Sequence, residues 1–312
     1  MELVFLGTPE FAVPTLERVV EAGHRVLAVY TQPDRPKGRG QQMAFPPVKE
    51  TALRLGLPVL HPVKIRQPEV VEQLRALRAE AMVVVGYGQI IPQTIIDLPE
   101  LGIINVHASL LPKYRGAAPI QWAIARGETR TGVTTMRIDA GLDTGDILLM
   151  EETAIREEET AVELGARLAV TGAGLLVRTL EGLAHGAITP VKQDNALATH
   201  APILRKEDGL IDFARPAREI YCRVRGFQPW PGAYTTFRGQ QLKIITARAA
   251  STHLAGDPGR LHAAGRGLQV ACGWGTVLDL IEVQLEGRKP VTAEAFRNGL
   301  RPMENEALGG NL

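Results

Sequence analysis

Ala81-Met82-Val83-Val84-Val85 is a continuous apolar run that ends at Gly86. A strand with this composition is typical of a parallel sheet that is covered by helices on both faces. Other apolar runs precede and follow it, and helical segments separate several of them. This alternation predicts an α/β domain with a doubly wound, mostly parallel, Rossmann-like sheet. The other strands predicted here are residues 2–6, 25–30, 103–106 and 133–138, and the predicted helices are 9–22, 119–126 and 161–184.

The turn after the first strand reads Gly7-Thr8-Pro9. Thr8 suits the N-cap of a helix and Pro9 suits its first position, so a helix is predicted to start here. The turn is neither a G-x-G-x-x-G sequence nor a phosphate loop ending in G-K-[ST]. A nucleotide cofactor bound in the usual way is therefore disfavoured.

The second half of the chain has a different pattern. Periodicity fades over residues 186–205, which predicts a linker between an α/β domain at 1–185 and a smaller domain at 206–312. One short helix is expected at 216–225. It is followed by short apolar runs separated by glycines, at 233–237, 242–247, 268–271 and 276–283. Such spacing predicts a small OB-like β-barrel, a fold that often binds nucleic acid.

Composition restricts the class of protein. The chain has 312 residues, 45% of them hydrophobic and 22% charged, which is ordinary for a globular protein. It has no apolar run near the roughly 20 residues of a membrane span, and its start lacks the basic region of a secretory signal. With two cysteines and seven scattered histidines, neither a disulfide framework nor a metal site is expected. We expect a cytoplasmic protein, with a monomer as the default state.

The small net charge of +1 is unevenly distributed. Residues 200–312 carry 15 Lys and Arg against 11 Asp and Glu, a net of +4, and the remainder therefore carries −3. A basic second half fits a polyanionic partner, although a solvated surface of mixed charge fits equally well.

Three polar residues stand where α/β proteins usually place their chemistry, at the carboxyl ends of strands. Asn105 and His107 flank Val106 at the end of one strand, so both face the same side of the sheet. Asp143 follows the next strand in a loop with two glycines. An amide and an imidazolium can stabilise an oxyanion, and a carboxylate can orient the imidazole and move a proton. The set suits acyl transfer to an amine, whereas a structural hydrogen-bonding pair is the alternative.

The sequence around these residues is distinctive. Residues 105–122 read NVHASLLPKYRGAAPIQW, and residues 141–146 read GLDTGD. Both stretches resemble the folate-dependent formyltransferases. The resemblance implies that Asn105, His107 and Asp143 are the catalytic residues and that 10-formyltetrahydrofolate is the formyl donor. It also implies that the segment Ser109, Leu110, Leu111 and Pro112 helps to bind the folate.

The segment 32–47 is rich in glycine, proline and basic residues. A long loop of this kind is either functional or simply solvated, and its cations could bind a phosphate backbone. Together with RGAAPIQ at 115–121 and QPWPG at 228–232, its sequence QPDRPKGRG at 32–40 resembles the family members that formylate methionyl initiator tRNA. The resemblance implies that the loop contacts the tRNA acceptor arm through Arg35, Lys37 and Arg39, with Arg39 as the main contact.

The segment that follows the run at 81–85 contains two glycines, which let backbone groups approach a flat ring. The resemblance implies that it lines the pterin pocket, through Gly86, Tyr87, Gly88, Gln89 and Ile90. The alternative is an ordinary turn with Tyr87 packed in the core.

Other functions remain open at this point. The same catalytic residues would serve a formyltransferase for an amino sugar or another small amine, or a hydrolase of formyl-folate. A non-catalytic RNA-binding protein on the same fold is a third possibility. The basic loop and the basic second half favour tRNA, and the intact set Asn105, His107 and Asp143 favours an enzyme.

Overall fold

The computed structural model describes residues 1–37, 42–254, 256–303 and 306–309. Its strands are β1 Glu2–Gly7, β2 Arg25–Tyr30, β3 Arg35–Lys37, β4 Gln42–Ala44, β5 Val59–Leu60, β6 Ala81–Val85, β7 Ile103–His107, β8 Arg130–Arg137, β9 Ile147–Ala154, β10 Ala233–Phe237, β11 Gln240–Ala249, β12 Leu261–Ala264, β13 Gly267–Ala271, β14 Val277–Leu285 and β15 Val291–Thr292. Its α-helices are α1 Val13–Glu21, α2 Pro47–Arg54, α3 Pro68–Leu77, α4 Gln93–Ile96, α5 Pro119–Ala125, α6 Ala161–Ala184, α7 Ala217–Gly226 and α8 Ala293–Leu300.

The chain divides into two compact units. The first contains Met1–Gly116, Arg130–Ala154 and Gly165–Ala201, and the second contains Ala117–Thr129, Ile155–Leu164 and Pro202–Leu312. The predicted boundaries at 185 and 205 stay a prediction.

The first unit is built on a seven-stranded sheet with the order β5-β2-β1-β6-β7-β8-β9. The pairs from β5 to β7 are parallel, and β8 and β9 are antiparallel additions at one edge. The strand order reverses direction between β1 and β6. In open α/β sheets, ligands bind beside the carboxyl ends of the strands at such a reversal. The predicted Rossmann-like class is confirmed.

The strands of this sheet are apolar because both faces are covered. All five residues of β6 are buried. On one face, alternate residues of β1 and β6 join a core with residues of α3. Its members from these elements are Val4, Leu6, Met82, Val84, Val70, Val71 and Leu74. Burial of each such side chain stabilises the fold by roughly 1.5–3 kcal/mol, which fixes the register of the central strands.

The start of the first helix differs from the prediction. A 3-10 turn at Glu10–Ala12 intervenes, and α1 begins at Val13. Thr8 is not an N-cap, because its hydroxyl donates to the carbonyl oxygen of Tyr87 at 3.0 Å and accepts from the Gln32 backbone N–H at 3.3 Å. A bond across the sheet therefore takes the place of a local cap.

The basic segment at 32–47 contains a hairpin that was not predicted. Its strands β3 and β4 pair Arg35 with Ala44 and Pro36 with Met43. Residues 38–41, which come between these strands in the sequence, lie outside the described residues. At the base, Lys49 Nζ lies 2.8 Å from both carboxylate oxygens of Asp34.

The first part of the predicted linker is hydrogen-bonded to the first unit. Val191 pairs with Ile147 beside β9, and His200 forms a parallel bridge with Arg115. A 3-10 turn at Asn195–Leu197 lies between these two bridges. The segment up to Ala201 therefore belongs to the first unit.

The second unit contains a six-stranded antiparallel sheet with the order β10-β11-β14-β13-β12, in which β15 also pairs with β14. Its core includes Ile220, Val224, Phe237 and Phe296 from strand and helix elements. α5 packs on α7, where Trp122 and Phe227 meet edge to face with ring centroids 5.3 Å apart. The predicted small β domain is confirmed. No helix in the described part of the chain combines the length and apolarity needed to cross a bilayer.

Candidate active site

Of Asn105, His107 and Asp143, the last two are in contact at the carboxyl end of β7. β7 carries the first two, and the third lies in the turn between β8 and β9. His107 Nδ1 is 3.6 Å from Asp143 Oδ2. This distance is that of an ion pair and is too long for a good hydrogen bond. The histidine side chain is 6% exposed and the aspartate 15%, so solvent screens their interaction weakly.

The histidine ring is held from its other side. Its Nε2 lies 2.9 Å from the carbonyl oxygen of Tyr114. A carbonyl oxygen can only accept, so Nε2 carries a proton in this arrangement. Nδ1 is then the nitrogen that can take up or release a proton beside Asp143. The geometry suits an acid–base group whose orientation is fixed.

Asp143 is held in an unusual backbone conformation. Its φ is +52°, in the left-handed region, which costs a residue other than glycine about 1 kcal/mol. Its Oδ2 accepts a 2.8 Å hydrogen bond from the Gly116 backbone N–H. Gly145 closes the same turn, and a Cβ there would lie 1.9 Å from the carbonyl oxygen of Arg137. The loop glycine at 145 is therefore required by close packing.

Asn105 differs from the other two residues because it is uncommitted. It is half-buried on β7, between Val84 of β6 and Met136 of β8. Within the residues that the structure describes, its side-chain amide makes no hydrogen bond. An amide in this state can donate to a ligand without breaking an existing contact.

The segment predicted to bind folate, Ser109 to Pro112, forms the turn after β7. Ser109 is fully buried, and its hydroxyl donates to the Lys113 carbonyl oxygen at 2.6 Å. The Leu111 backbone N–H donates to Thr134 of β8. Leu111 is buried, whereas Leu110 and Pro112 are half-buried. Ser109 thus shapes the turn, and Leu110 and Pro112 are the members that a ligand could reach.

The predicted pterin loop follows β6, next to the reversal of strand order. Gly86 and Gly88 are exposed with positive φ, and Ile90 is 91% exposed. Tyr87 is buried in the core, as the alternative interpretation stated. Gln89 is bound to backbone, accepting from Ile65 N–H at 2.7 Å and donating to the carbonyl of Pro62. Ligand contacts from this loop would come from the glycines and Ile90.

The three predicted tRNA contacts are only partly described. Arg35 is exposed on β3. Lys37 is described for its backbone alone, and Arg39 lies outside the described residues. Of these three residues, the structure therefore describes the side chain of Arg35 alone.

Two groups near the site were missed by sequence reasoning. Gln193, from the predicted linker, donates to the carbonyl oxygens of Asp143 and Gly145. Arg115 is buried and donates to the Gln193 side-chain oxygen. The sequence around Gln193 has no pattern that indicates its role, because its hydrogen-bond partners are distant in the sequence. Arg115 lies inside the segment 105–122, and the resemblance of this segment to the formyltransferases could have identified it.

The site has the parts needed for acyl transfer. No group of three or more His, Cys, Asp or Glu side chains that could hold a metal occurs in the described ranges. The uncommitted amide and the oriented imidazole lie on β7, the carboxylate contacts the imidazole, and two exposed glycines follow the neighbouring strand β6. They can bind a carbonyl oxygen, supply positive charge and move a proton.

Comparison with known proteins agrees with this chemistry. The Formyl transferase model matches residues 1–180, and the Formyl transferase, C-terminal domain model matches residues 203–301. The methionyl-tRNA formyltransferase of Solibacter usitatus is 65% identical over 309 residues, covering 99% of each chain. That of Koribacter versatilis is 59% identical over 310 residues, again covering 99% of each chain.

A solved structure shares the fold. The N-formyltransferase from Helicobacter canadensis, in complex with folinic acid and dTDP-3-aminofucose, has a TM-score of 0.66 and 18% identity and covers 89% of this chain and 98% of its own. At this identity the likeness concerns the fold alone. The two matching domain models and the two close relatives carry the assignment: the chain belongs to the formyl transferase family, and within it to the methionyl-tRNA formyltransferases.

Proposed function

We propose that this protein transfers the formyl group of 10-formyltetrahydrofolate to the α-amino group of methionyl initiator tRNA. The observation that carries the proposal is the 65% identity, along 99% of both chains, to a methionyl-tRNA formyltransferase. The arrangement of Asn105, His107 and Asp143 supports a direct transfer.

The folate donor fits the residues at the reversal of strand order. Gly86 and Gly88 leave the surface there without side chains, and Ile90 offers an apolar side chain beside them. The unengaged Asn105 amide lies on β7, which neighbours the strand that precedes these glycines. When bound, the folate supplies the activated formyl group. Leu110 and Pro112 would add apolar contacts on the other side of β7.

In the proposed reaction the substrate amine attacks the formyl carbon. A new C–N bond forms, the bond from the formyl carbon to N10 of the folate breaks, and one proton moves from the amine to N10. Asn105 donates to the formyl oxygen as negative charge develops on it. His107 adds positive charge beside that oxygen when protonated, and with Asp143 it relays the proton.

The tRNA would be held partly by the hairpin of β3 and β4. Arg35 is exposed there, and the Asp34–Lys49 pair ties the base of the hairpin to α2. We propose that Arg35, Lys37 and Arg39 contact the acceptor arm through phosphates, which are bound without base recognition. The second half of the chain, residues 200–312, would add contacts through its net charge of +4.

The cytoplasm is the proposed location. Cys222 and Cys272 are both free and buried, which suits a protein of a reducing compartment.

A formyl-transfer assay tests the proposal. The protein is supplied with 10-formyltetrahydrofolate and, in separate reactions, with methionyl initiator tRNA, methionyl elongator tRNA, a nucleotide-linked amino sugar or no acceptor. We expect formyl-methionine on the initiator tRNA and little product elsewhere. Preferential formylation of the amino sugar would support the small-amine alternative, and release of formate without an acceptor would indicate a hydrolase.

A further inference from the structure

Gln193 links three parts of the first unit through one side-chain amide. Its Nε2 donates to the carbonyl oxygens of Asp143 at 2.9 Å and Gly145 at 2.7 Å. Its Oε1 accepts from Arg115 Nε at 3.0 Å and Nη2 at 2.8 Å. A primary amide has two N–H donors and two acceptor sites, so its capacity is fully used. The opposite amide orientation would put N–H groups against the arginine.

The Asp143 turn needs support of this kind. Asp143 has a positive φ, which is unfavourable for a residue with a side chain. Its carboxylate is fixed by Gly116 N–H, and its carbonyl is fixed by Gln193. Both bonds restrain the Asp143 turn, whose Oδ2 lies 3.6 Å from His107 Nδ1.

Arg115 connects the two ends of this arrangement. It directly precedes Gly116, whose N–H holds the Asp143 carboxylate. Its guanidinium holds Gln193, which holds the Asp143 carbonyl. Arg115 is 5% exposed, and Asn195 Oδ1 accepts from its Nη2 at 2.9 Å. The described side-chain partners of this buried guanidinium are neutral amide oxygens and not carboxylates. The directions of these hydrogen bonds therefore position it.

We propose that Gln193 and Arg115 are positioning residues that set the Asp143 carboxylate for proton transfer, and that the segment before Ala201 is part of the active-site framework. The inference rests on the proposed function, because it assigns Asp143 a role in the reaction. Neither residue contacts the reacting atoms in this scheme. Each acts through the Asp143 turn.

The test is a double-mutant cycle in single-turnover formylation of initiator tRNA at saturating folate. Gln193→Glu keeps the acceptor for Arg115 but places an oxygen against the carbonyls of Asp143 and Gly145. We expect a rate about 10- to 100-fold lower, as for a misplacement near 1 Å, with KM for tRNA little changed. In the Asp143→Asn background the same substitution should change the rate by less than about 2-fold, since the residue it positions no longer functions.

A matched control separates positioning from general stability. Gln193→Met removes the hydrogen bonds to Arg115, Asp143 and Gly145 at similar volume and should also slow the reaction. Gln269→Met removes the hydrogen bond from Gln269 Nε2 to Asp279 on the second sheet. It should lower the unfolding midpoint while leaving the rate at saturation unchanged. Gln193→Met also keeps the test valid if the charged variant folds poorly.

Two results would overturn the inference. A full 10- to 100-fold loss from Gln193→Glu in the Asp143→Asn background would mean that Gln193 acts independently of Asp143. Gln193→Glu and Gln193→Met variants that react like the parent would mean that the turn needs no such support. If the Asp143→Asn single variant reacts like the parent, the proposed role of Asp143 in the reaction is wrong. This variant therefore distinguishes failure of the proposed mechanism from failure of the inference about Gln193.

Discussion

Lys49 and Asp34 form a partly buried ion pair at the base of the β3–β4 hairpin, with Lys49 Nζ 2.8 Å from both carboxylate oxygens. The side chains are 10% and 23% exposed, and the ammonium also lies 4.2 Å from the centre of the Phe45 ring. Lys49 is therefore committed to holding the hairpin and is not available to bind a phosphate.

Lys49→Met should destabilise the protein, because it leaves the Asp34 carboxylate partly buried without its partner. The expected loss in free energy of unfolding is up to about 3 kcal/mol. Urea denaturation measures it. Arg54→Met is the matched control, since Arg54 and Glu17 form an exposed pair and its loss should cost about 0–1 kcal/mol. Equal costs for the two variants would show that the Asp34 pair does not anchor the hairpin.

His107→Ala and Asn105→Ala should both lower kcat with little effect on folding. Loss of an acid–base group typically costs about 10²–10⁴-fold. Loss of one oxyanion donor costs roughly 2.7–4 kcal/mol of transition-state stabilisation. Steady-state formylation of initiator tRNA measures both. A well-folded His107→Ala variant with parental kcat would remove the imidazole from the mechanism.

Asp143→Asn should preserve the fold but slow the reaction. The new side-chain oxygen can still accept from Gly116 N–H, so the turn keeps its support. The negative charge beside His107 is lost, and with it the group that relays the proton. The measurement is kcat together with the unfolding midpoint. An unchanged kcat would make Asp143 a structural residue of its turn.

Arg39→Ala should weaken the use of methionyl initiator tRNA and leave the binding of a non-reactive folate analogue unaltered. If Arg39 contacts a phosphate, the slope of log affinity against log salt should become shallower by about 0.9 for a duplex. Arg18→Ala, at an exposed arginine of α1 paired with Glu21, is the control. Formylation of limiting tRNA at the parental rate would leave Arg39 without a role in tRNA binding.

Cys272 should be inert to thiol reagents in the folded protein. The side chain is buried, and burial raises the pKa of its thiol from 9.0 to about 12. The stability associated with the neutral thiol is fully present below pH 9 and is lost as pH rises through about 12. Titration with a disulfide reagent at pH 8 should detect no fast-reacting thiol in buffer and two in urea, since Cys222 is also buried. Rapid labelling of native Cys272 would contradict its burial.

The sequence by itself predicted the central strands of the main sheet and the candidate catalytic residues. The five apolar residues of β6 identified a strand covered on both faces, because only burial on both sides favours an unbroken apolar run. Asn105 and His107 were identified because a strand places residues two apart on one face. Strand β10 and helix α6 were predicted with the bounds that the structure has, since β10 is a short run between glycines and α6 is a long amphipathic stretch.

Other features depended on tertiary structure. Thr8 has the local pattern of an N-cap, yet its hydroxyl bonds to the Tyr87 backbone, 79 residues away. Gln193 lies in a polar stretch with the composition of a linker, but it holds the Asp143 turn, 50 residues away, and Arg115, 78 residues away. Hydrogen bonds between such distant segments impose no period or composition on the sequence near either partner. Local patterns therefore predicted the central strands and the candidate catalytic side chains, and only the packing of the folded chain decided what holds them in place.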